Sequence, residues 1–165
     1  MGADRMKITV VSDTHGDFET LYQIVTRNTD SDLFIHLGDG EREFYDVRSA
    51  FYDKAFIFIK GNNDWEDYPQ CLVTELGGKK FYLCHGHRFD RMRLKEYLSA
   101  TAVTNGCDAA LFGHTHVPVN EYVNGVLLFN PGSAVLPRGG NAPTYGIITV
   151  SDDGIIKAVH KEIKA

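Results

Sequence analysis

The chain has 165 residues, of which 43% are hydrophobic and 24% are charged, so its size suits a single globular domain with a substantial core. Its formal net charge of -5 and its scattered lysines and arginines argue against a nucleic-acid groove. Its three cysteines lack CxxC spacing, which indicates neither a disulfide framework nor a thiolate zinc site and favours a cytoplasmic location. No apolar run approaches the roughly 18 residues of a membrane span. We interpret residues 1–165 as one domain, with residues 1–5 as an extension ahead of Met6.

The first half of the chain predicts alternating strands and helices. Short apolar runs predict strands at 7–12, 33–37 and 55–59. A helix that is N-capped by Asp17 follows the first strand, and a helix over 41–51 follows the second. Each strand ends on a polar block: Asp13-Thr14-His15, Gly38-Asp39 and Gly61-Asn62-Asn63-Asp64. Because parallel strands joined by crossover helices end at one edge of a sheet, we expect these blocks to lie together.

The second half begins with a predicted hairpin, in which strands 72–76 and 80–84 flank Gly77-Gly78 and the return strand leads into His85-Gly86-His87. The later elements, in chain order, are a helix over 91–105 with Gly106 as its C′ residue, a strand over 109–112 that ends at Gly113-His114-Thr115-His116, and two antiparallel hairpins over 120–129 and 145–159.

The polar blocks share one chemical property, because each offers imidazole, carboxylate or amide donors directly after a predicted strand. A single block of this kind is weak, since a histidine at a strand end is often a cap or a core-edge residue. Five such blocks in one short chain favour a shared site for a divalent first-row cation.

The order of the blocks resembles a known family. Asp-x-His, Gly-Asp, Gly-Asn-x-Asp, His-Gly-His and Gly-His-x-His follow one another between residues 13 and 116 as they do in the calcineurin-like metallophosphoesterases. The short length, the absence of inserted loops and the segment 130–133 (Asn-Pro-Gly-Ser) are similar to the small phosphodiesterase branch, the YfcE-like group. The resemblance implies an α/β fold, the four-layer α/β/β/α sandwich.

The resemblance also implies a two-metal centre whose ligands are Asp13, His15 and His116 for the first ion, Asn62, His85 and His114 for the second, and Asp39 as the bridge. Manganese is the expected ion, while zinc, iron and nickel also suit such donors. The implied reaction is in-line attack of a metal-bridging hydroxide on a phosphodiester.

Three further residues are candidate catalytic or substrate-contacting groups. Asn63 stands where many family members have a histidine that acts as a general acid, and an amide cannot give up a proton. Asn63 either contacts the substrate phosphate or is a turn residue, of a type that tolerates left-handed backbone geometry. Asp64 either orients Asn63 or a ligand histidine, or is a solvated turn carboxylate. His87 either contacts the substrate or a ligand, or caps its strand.

Other polar residues have less specific interpretations. We expect His36 to pack in the core and His160 to be exposed near the terminus. Arg88 and Arg138 either clamp a phosphate or lie on the surface. Strand alternation turns Cys84 away from the site, so we expect it to be a small buried residue.

The resulting functional hypothesis is a metal-dependent phosphodiesterase that acts on a small phosphodiester, away from membranes and nucleic acid, with homo-oligomerisation left open. A phosphomonoesterase or nucleotidase of the same family is one alternative. A non-enzymatic scaffold, like the retromer subunit with this fold, is another, although it would be expected to have damaged ligands. A nuclease is disfavoured because there is no basic groove.

Overall fold

The structure is a computed structural model that describes residues 4–164, and its strands form two five-stranded sheets. The strands, in chain order, are β1 (Asp4–Val11), β2 (Leu33–His36), β3 (Phe56–Phe58), β4 (Cys71–Leu76), β5 (Lys79–Cys84), β6 (Ala109–Leu111), β7 (Val119–Val123), β8 (Val126–Asn130), β9 (Thr144–Ser151) and β10 (Ile156–Glu162). The first sheet has the order β10-β9-β1-β2-β3, and the second has the order β4-β5-β6-β8-β7.

Three α-helices cover the outer faces of the sheets: α1 (Phe18–Arg27), α2 (Glu41–Ala50) and α3 (Leu94–Thr104). Asp17 caps α1 as predicted, because its Oδ1 accepts a hydrogen bond from the Thr20 backbone N–H at 2.9 Å. The predicted helix over 91–105 instead begins with a separate 3₁₀ turn over Arg91–Arg93. The Asp90 side chain caps that turn at the Met92 backbone N–H, so the chain starts to coil before the α-helical hydrogen bonds begin.

The main core lies between the two sheets. It contains Ile8, Ile35, Phe81, Leu111 and Ile148, all fully buried. A second cluster packs α1 and α2 on the outside of the first sheet, and a third packs α3 on the outside of the second. These layers form the predicted α/β/β/α sandwich, with apolar burial as its main favourable term.

The topology brings the ends of several strands together. β1, β2 and β3 are parallel in the first sheet, and β5, β6 and β8 are parallel in the second. The polar blocks that follow β1, β2, β3, β5 and β6 therefore meet at one end of the sandwich, as the strand pattern predicted.

Two expectations about the chain ends need correction. β1 begins at Asp4 and pairs with β9, so the last two residues of the expected extension belong to a strand, while residues 1–3 lie outside the described residues. His160 is half-buried rather than exposed. Its ring stacks on Phe129 with centroids 4.6 Å apart, and its Nε2 lies 2.7 Å from the Asn130 carbonyl oxygen. The cause is that β10 stays paired with β9 as far as Glu162.

The remaining expectations on packing are met. Cys84 and His36 are buried, at 5% and 1% exposure. The three cysteines, all within the described range, have free thiols. Across residues 4–164, no helix has the length and apolar character needed to cross a membrane.

Candidate metal centre

The loops after the strands have an unusual backbone. Six non-glycine residues of the described chain have positive φ, and five of them are predicted ligands: Asp13, His15, Asp39, His114 and His116. Such left-handed conformations cost about 1–3 kcal/mol each and persist only where the surrounding structure enforces them. Their concentration in the ligand loops indicates a functional site.

The first group of donors surrounds Asp13, which is fully buried. Its Oδ1 lies 3.2 Å from His116 Nε2, 3.6 Å from His15 Nε2 and 3.8 Å from His85 Nε2. His15 Nε2 and His116 Nε2 are 3.3 Å apart. Asp13, His15 and His116 thus form a cluster with the spacing of metal ligands.

The second group surrounds Asp39, which is 2% exposed. Its Oδ2 lies 3.4 Å from His85 Nε2 and 3.8 Å from His15 Nε2. His85 Nε2 is also 3.0 Å from Asn62 Oδ1, and the His85 and His114 rings are 5.2 Å apart. Asp13, Asp39 and His85 form a further cluster with ligand spacing, so Asp39 lies between the two groups.

Backbone carbonyls orient two of the imidazoles. His85 Nδ1 lies 2.6 Å from the Leu37 carbonyl oxygen, and His116 Nδ1 lies 2.7 Å from the Leu136 carbonyl oxygen. Because a carbonyl oxygen can only accept, each Nδ1 donates to its carbonyl, and the Nε2 of each ring is directed at the centre. This is the arrangement that ligand histidines usually need.

One buried oxygen at the centre lacks a hydrogen-bond donor. Asp13 Oδ2 accepts hydrogen bonds from Ser12 Oγ at 2.6 Å and from the His114 backbone N–H at 3.0 Å. Asp13 Oδ1 has no hydrogen-bond partner. Among the side chains that the structure describes, His87 Nδ1 is the only other buried polar atom without one. A divalent cation would satisfy Asp13 Oδ1, and carboxylate, amide and imidazole donors suit such ions.

The two carboxyl groups are held in the charged form. Burial alone would raise the pKa of Asp13, but the neighbouring imidazoles of His116, His15 and His85 lower that pKa far below its usual range. Burial also opposes ionisation of Asp39, yet His85 and Asn63 lower its pKa to about 2. The site therefore offers two anionic ligands at neutral pH.

The pKa values of the imidazoles shift in different directions. The neighbouring Asp13 carboxylate raises the pKa of His15, while burial lowers the pKa of His114. Burial tends to lower the pKa of His85 as well, but the neighbouring Asp39 and Asp13 carboxylates raise it overall. Metal binding would oppose protonation of all these rings, so metal affinity should fall with acidity.

Asp64 does not have the contacts that we expected. Its side chain is 6% exposed, which contradicts a solvated turn carboxylate, and its hydrogen bonds go to backbone groups rather than to Asn63 or a ligand ring. It accepts from the backbone N–H groups of Asp39 at 2.7 Å, Gly40 at 3.0 Å, Glu41 at 3.2 Å and Gly61 at 2.7 Å. Asp64 thus joins the loops that carry Asp39 and Asn62, since the turn after β2 and the turn after β3 share its carboxylate.

Asn63 lies against Asp39 and is exposed to solvent. Its backbone N–H donates to Asp39 Oδ1 and its Nδ2 donates to Asp39 Oδ2, both at 2.9 Å. Asn63 does lie in a turn, but its φ is not among the positive values, so the turn does not use left-handed geometry at this residue.

His87 lies beside the second group of donors. Its ring centroid is 5.5 Å from that of His85 and 6.2 Å from that of His114. Burial, together with the charges of His85 and Arg88, lowers the pKa of His87. Arg88 and Arg138 are both exposed, and the Arg138 backbone N–H donates to the His116 carbonyl oxygen at 3.1 Å.

The sequence interpretation missed a buried polar network beneath the first loop. Glu43, at 3% exposure, accepts hydrogen bonds from Thr14 Oγ1 at 2.8 Å and from the Gly16 backbone N–H. His36 Nδ1 accepts from the Gly38 backbone N–H at 3.1 Å, so its Nε2 carries the proton and donates to Thr14 Oγ1 at 2.8 Å. Burial lowers the pKa of His36 to about 4, which keeps the ring neutral.

Ser12 and Ser133 were also missed. Ser133 is fully buried, and its Oγ donates to the Asp13 backbone carbonyl at 2.8 Å. Two positions around Asp13 and Asp39 require glycine. A Cβ on Gly113 would lie 2.1 Å from Ser12 Oγ, and one on Gly61 would lie 2.2 Å from Asp39 Oδ1. The spacing of Glu43, four residues before the buried Val47 on one helix, is a signal that could have revealed the inward carboxylate.

Comparison with known proteins agrees with this geometry. The profile of the calcineurin-like phosphoesterase superfamily domain matches residues 6–153. A probable metallophosphoesterase of Bacillus subtilis, YsnB, is 34% identical over 152 residues, which cover 90% of this chain and 86% of that protein. The phosphodiesterase YfcE of Escherichia coli is 35% identical over 123 residues, 62% of this chain and 61% of YfcE.

A solved structure of Vps29 from Entamoeba histolytica, complexed with Zn²⁺, superposes with a TM-score of 0.73 at 21% identity and covers 94% of this chain and 98% of that one. The fold and the donor clusters define a metal-dependent phosphoesterase. The chain belongs to the calcineurin-like phosphoesterase superfamily.

Proposed function

We propose that the protein is a phosphodiesterase that works with two divalent ions, manganese being the first to test, on a small phosphodiester in the cytoplasm. The observation that carries this proposal is the convergence of two buried, ionised carboxylates and several imidazole Nε2 atoms around Asp13 Oδ1, a buried oxygen with no donor. Such a set is costly without a cation, because a buried unpaired charge is strongly disfavoured.

The proposed ligands of the first ion are Asp13, His15 and His116, and those of the second are Asn62, His85 and His114. Asp39 is the proposed bridge, since its Oδ2 lies within 3.8 Å of Nε2 atoms from both groups. Two ions bound there would supply a nucleophile from water at neutral pH and would neutralise charge on the phosphate.

The residues around this centre would position the substrate. Asn63 Nδ2 is at the exposed rim and can turn from Asp39 to a phosphate oxygen, but it cannot protonate a leaving group. His87 is half-buried beside His85 and His114, so we assign it a substrate contact. Without an acid at position 63, diesters with acidic leaving groups are the favoured class, and the name of the YfcE relative supports this choice.

The test compares hydrolysis of bis-p-nitrophenyl phosphate and p-nitrophenyl phosphate by the manganese-loaded protein. We expect a preference for the diester, and we expect Asp39→Asn to lose at least about 100-fold in kcat, because metal ligands and their partners carry effects of that size. Asp67→Asn, at an exposed aspartate of the loop after β3, is the matched control. A clear preference for the monoester would support the nucleotidase alternative instead.

The scaffold alternative is favoured only by the likeness to Vps29, which at 21% identity concerns the fold alone. A scaffold has no need for strained ligand loops. Absence of hydrolysis of both substrates by the manganese-loaded wild type would favour this alternative.

A further inference from the structure

Two cysteines lie directly opposite each other at the end of the β4–β5 hairpin. Cys71 is the register partner of Cys84, and directly opposite residues of an antiparallel pair place their side chains on the same face of the sheet. Cys71 is exposed, while Cys84 is buried and immediately precedes the proposed ligand His85. Neither thiol has a part in the metal centre.

The hairpin register determines how close the two residues are. The two-residue turn Gly77-Gly78, with φ of 60° and 86°, joins Leu76 to Lys79. A turn of this kind closes with a hydrogen-bonded pair, and hydrogen-bonded and non-hydrogen-bonded pairs then alternate. Cys71 and Cys84 are the fifth pair beyond Leu76–Lys79, so they form a non-hydrogen-bonded pair.

Contacts of β5 with its other neighbour support this assignment independently. The Lys80 backbone N–H donates to the Asp108 carboxylate at 2.9 Å, and the Lys80 carbonyl accepts from the Asp108 backbone N–H at 2.8 Å. Lys80 therefore directs both backbone groups away from β4. Cys84, four residues later on the same strand, has the same orientation.

Non-hydrogen-bonded pairs are the closer of the two kinds, with Cα atoms about 4.5 Å apart. A disulfide requires Cα separations of about 4.4–6.8 Å, so Cys71 and Cys84 can be joined without moving either strand far.

The pair also borders the metal centre. Cys71 and Cys84 line a cavity of about 120 Å³ together with His85 and His87. His85 Nε2 lies 3.0 Å from Asn62 Oδ1, so a displacement of the backbone before His85 would act on the ligands of the second ion.

We propose that Cys71 and Cys84 are a redox-modification site that peroxide converts to a disulfide, and that this bond weakens binding of the second metal ion. The disulfide stands on the hairpin geometry alone, whereas the effect on the metal rests on the proposed function. Reducing compartments allow such transient, redox-sensing disulfides.

The exposed sulfur of Cys71 is the one that peroxide can reach. It attacks one peroxide oxygen, the O–O bond breaks, and a sulfenic acid forms while the other oxygen leaves as water. The Cys84 sulfur then attacks the Cys71 sulfur and displaces a second water. In total, two thiols are oxidised to one disulfide and one hydrogen peroxide is reduced to two waters.

The first experiment treats reduced, metal-free protein with hydrogen peroxide and follows thiol titration, intact mass and peptide mapping. We expect the wild type to lose two of its three thiols, to lose the mass of two hydrogen atoms, and to yield a linked 71–84 peptide that dithiothreitol releases. Cys107→Ala, which removes the third thiol, should behave in the same way. Cys71→Ser and Cys84→Ala should form no internal link. Peroxide treatment that yields only higher oxides or linked dimers of the wild type would overturn the proposal.

The second experiment titrates Mn²⁺ into reduced and oxidised protein by calorimetry. We expect one of two Mn²⁺ equivalents to bind about tenfold more weakly after oxidation, as when partners of metal ligands are disturbed. Peroxide-treated Cys71→Ser should bind as the reduced wild type does. Equal affinities in both redox states would overturn the coupling to the metal. Failure of the reduced protein to bind Mn²⁺ would contradict the proposed function while leaving the disulfide result intact.

Discussion

Asp64→Asn is a severe test of how the ligand loops are held. The Asp64 carboxylate accepts hydrogen bonds from four backbone N–H groups of two loops. It also caps the N-terminus of α2, because the N-cap residue Gly40 has no side chain to do so. Asparagine has nearly the same shape, but its amide nitrogen would face two of these donors. Since each buried donor left without an acceptor costs about 1–3 kcal/mol, we expect the free energy of unfolding to fall by about 3 kcal/mol.

The assay is urea unfolding of the metal-free protein, followed by far-UV circular dichroism, so that lost metal binding does not contribute. Asp67→Asn, an exposed residue of the same loop, should stay within about 0.5 kcal/mol of the wild type. The variant should also bind Mn²⁺ at least about tenfold more weakly, because the backbones of both Asp39 and Gly61 lose their shared anchor. An Asp64→Asn protein within about 1 kcal/mol of the wild type would refute this interpretation of the carboxylate.

Two further predictions concern the support of the first loop. His36 has a folded pKa of about 4 against an ordinary 6.5, so the unfolded chain takes up the proton first, and metal-free wild type should lose up to about 3 kcal/mol between those pH values. His36→Gln should lack this pH-dependent loss of stability. Parallel curves of unfolding free energy against pH for the two proteins would contradict the prediction. Gly113→Ala should destabilise by about 1–3 kcal/mol, because its Cβ meets Ser12 Oγ. In thermal unfolding the Ser12→Ala/Gly113→Ala double variant should recover part of that loss, and no recovery would show that the clash lies elsewhere.

The sequence predicted the positions of the ligand blocks because they depend on local patterns. Where an apolar run is followed by Asp13 or Asp39, the strand direction alone places the carboxylate at the end of a sheet. The parallel order of β1, β2 and β3 then follows from the intervening helices.

The supporting contacts were beyond such reasoning because they join distant turns. Asp64 accepts from Asp39, 25 residues earlier, and Glu43 accepts from Thr14, 29 residues earlier. His160 was placed wrongly for the same reason, since its burial depends on Phe129 from the other sheet. The direction of a buried polar side chain depends on which loops approach it, and no local periodicity encodes that.

Anomalous diffraction from crystals soaked in Mn²⁺ tests the central claim most directly. The proposed centre predicts two manganese peaks about 3.5–4 Å apart, with Asp39 between them and Asp13 Oδ1 bound to one. A single peak, or peaks that Asp13 and Asp39 do not contact, would contradict the two-metal phosphodiesterase.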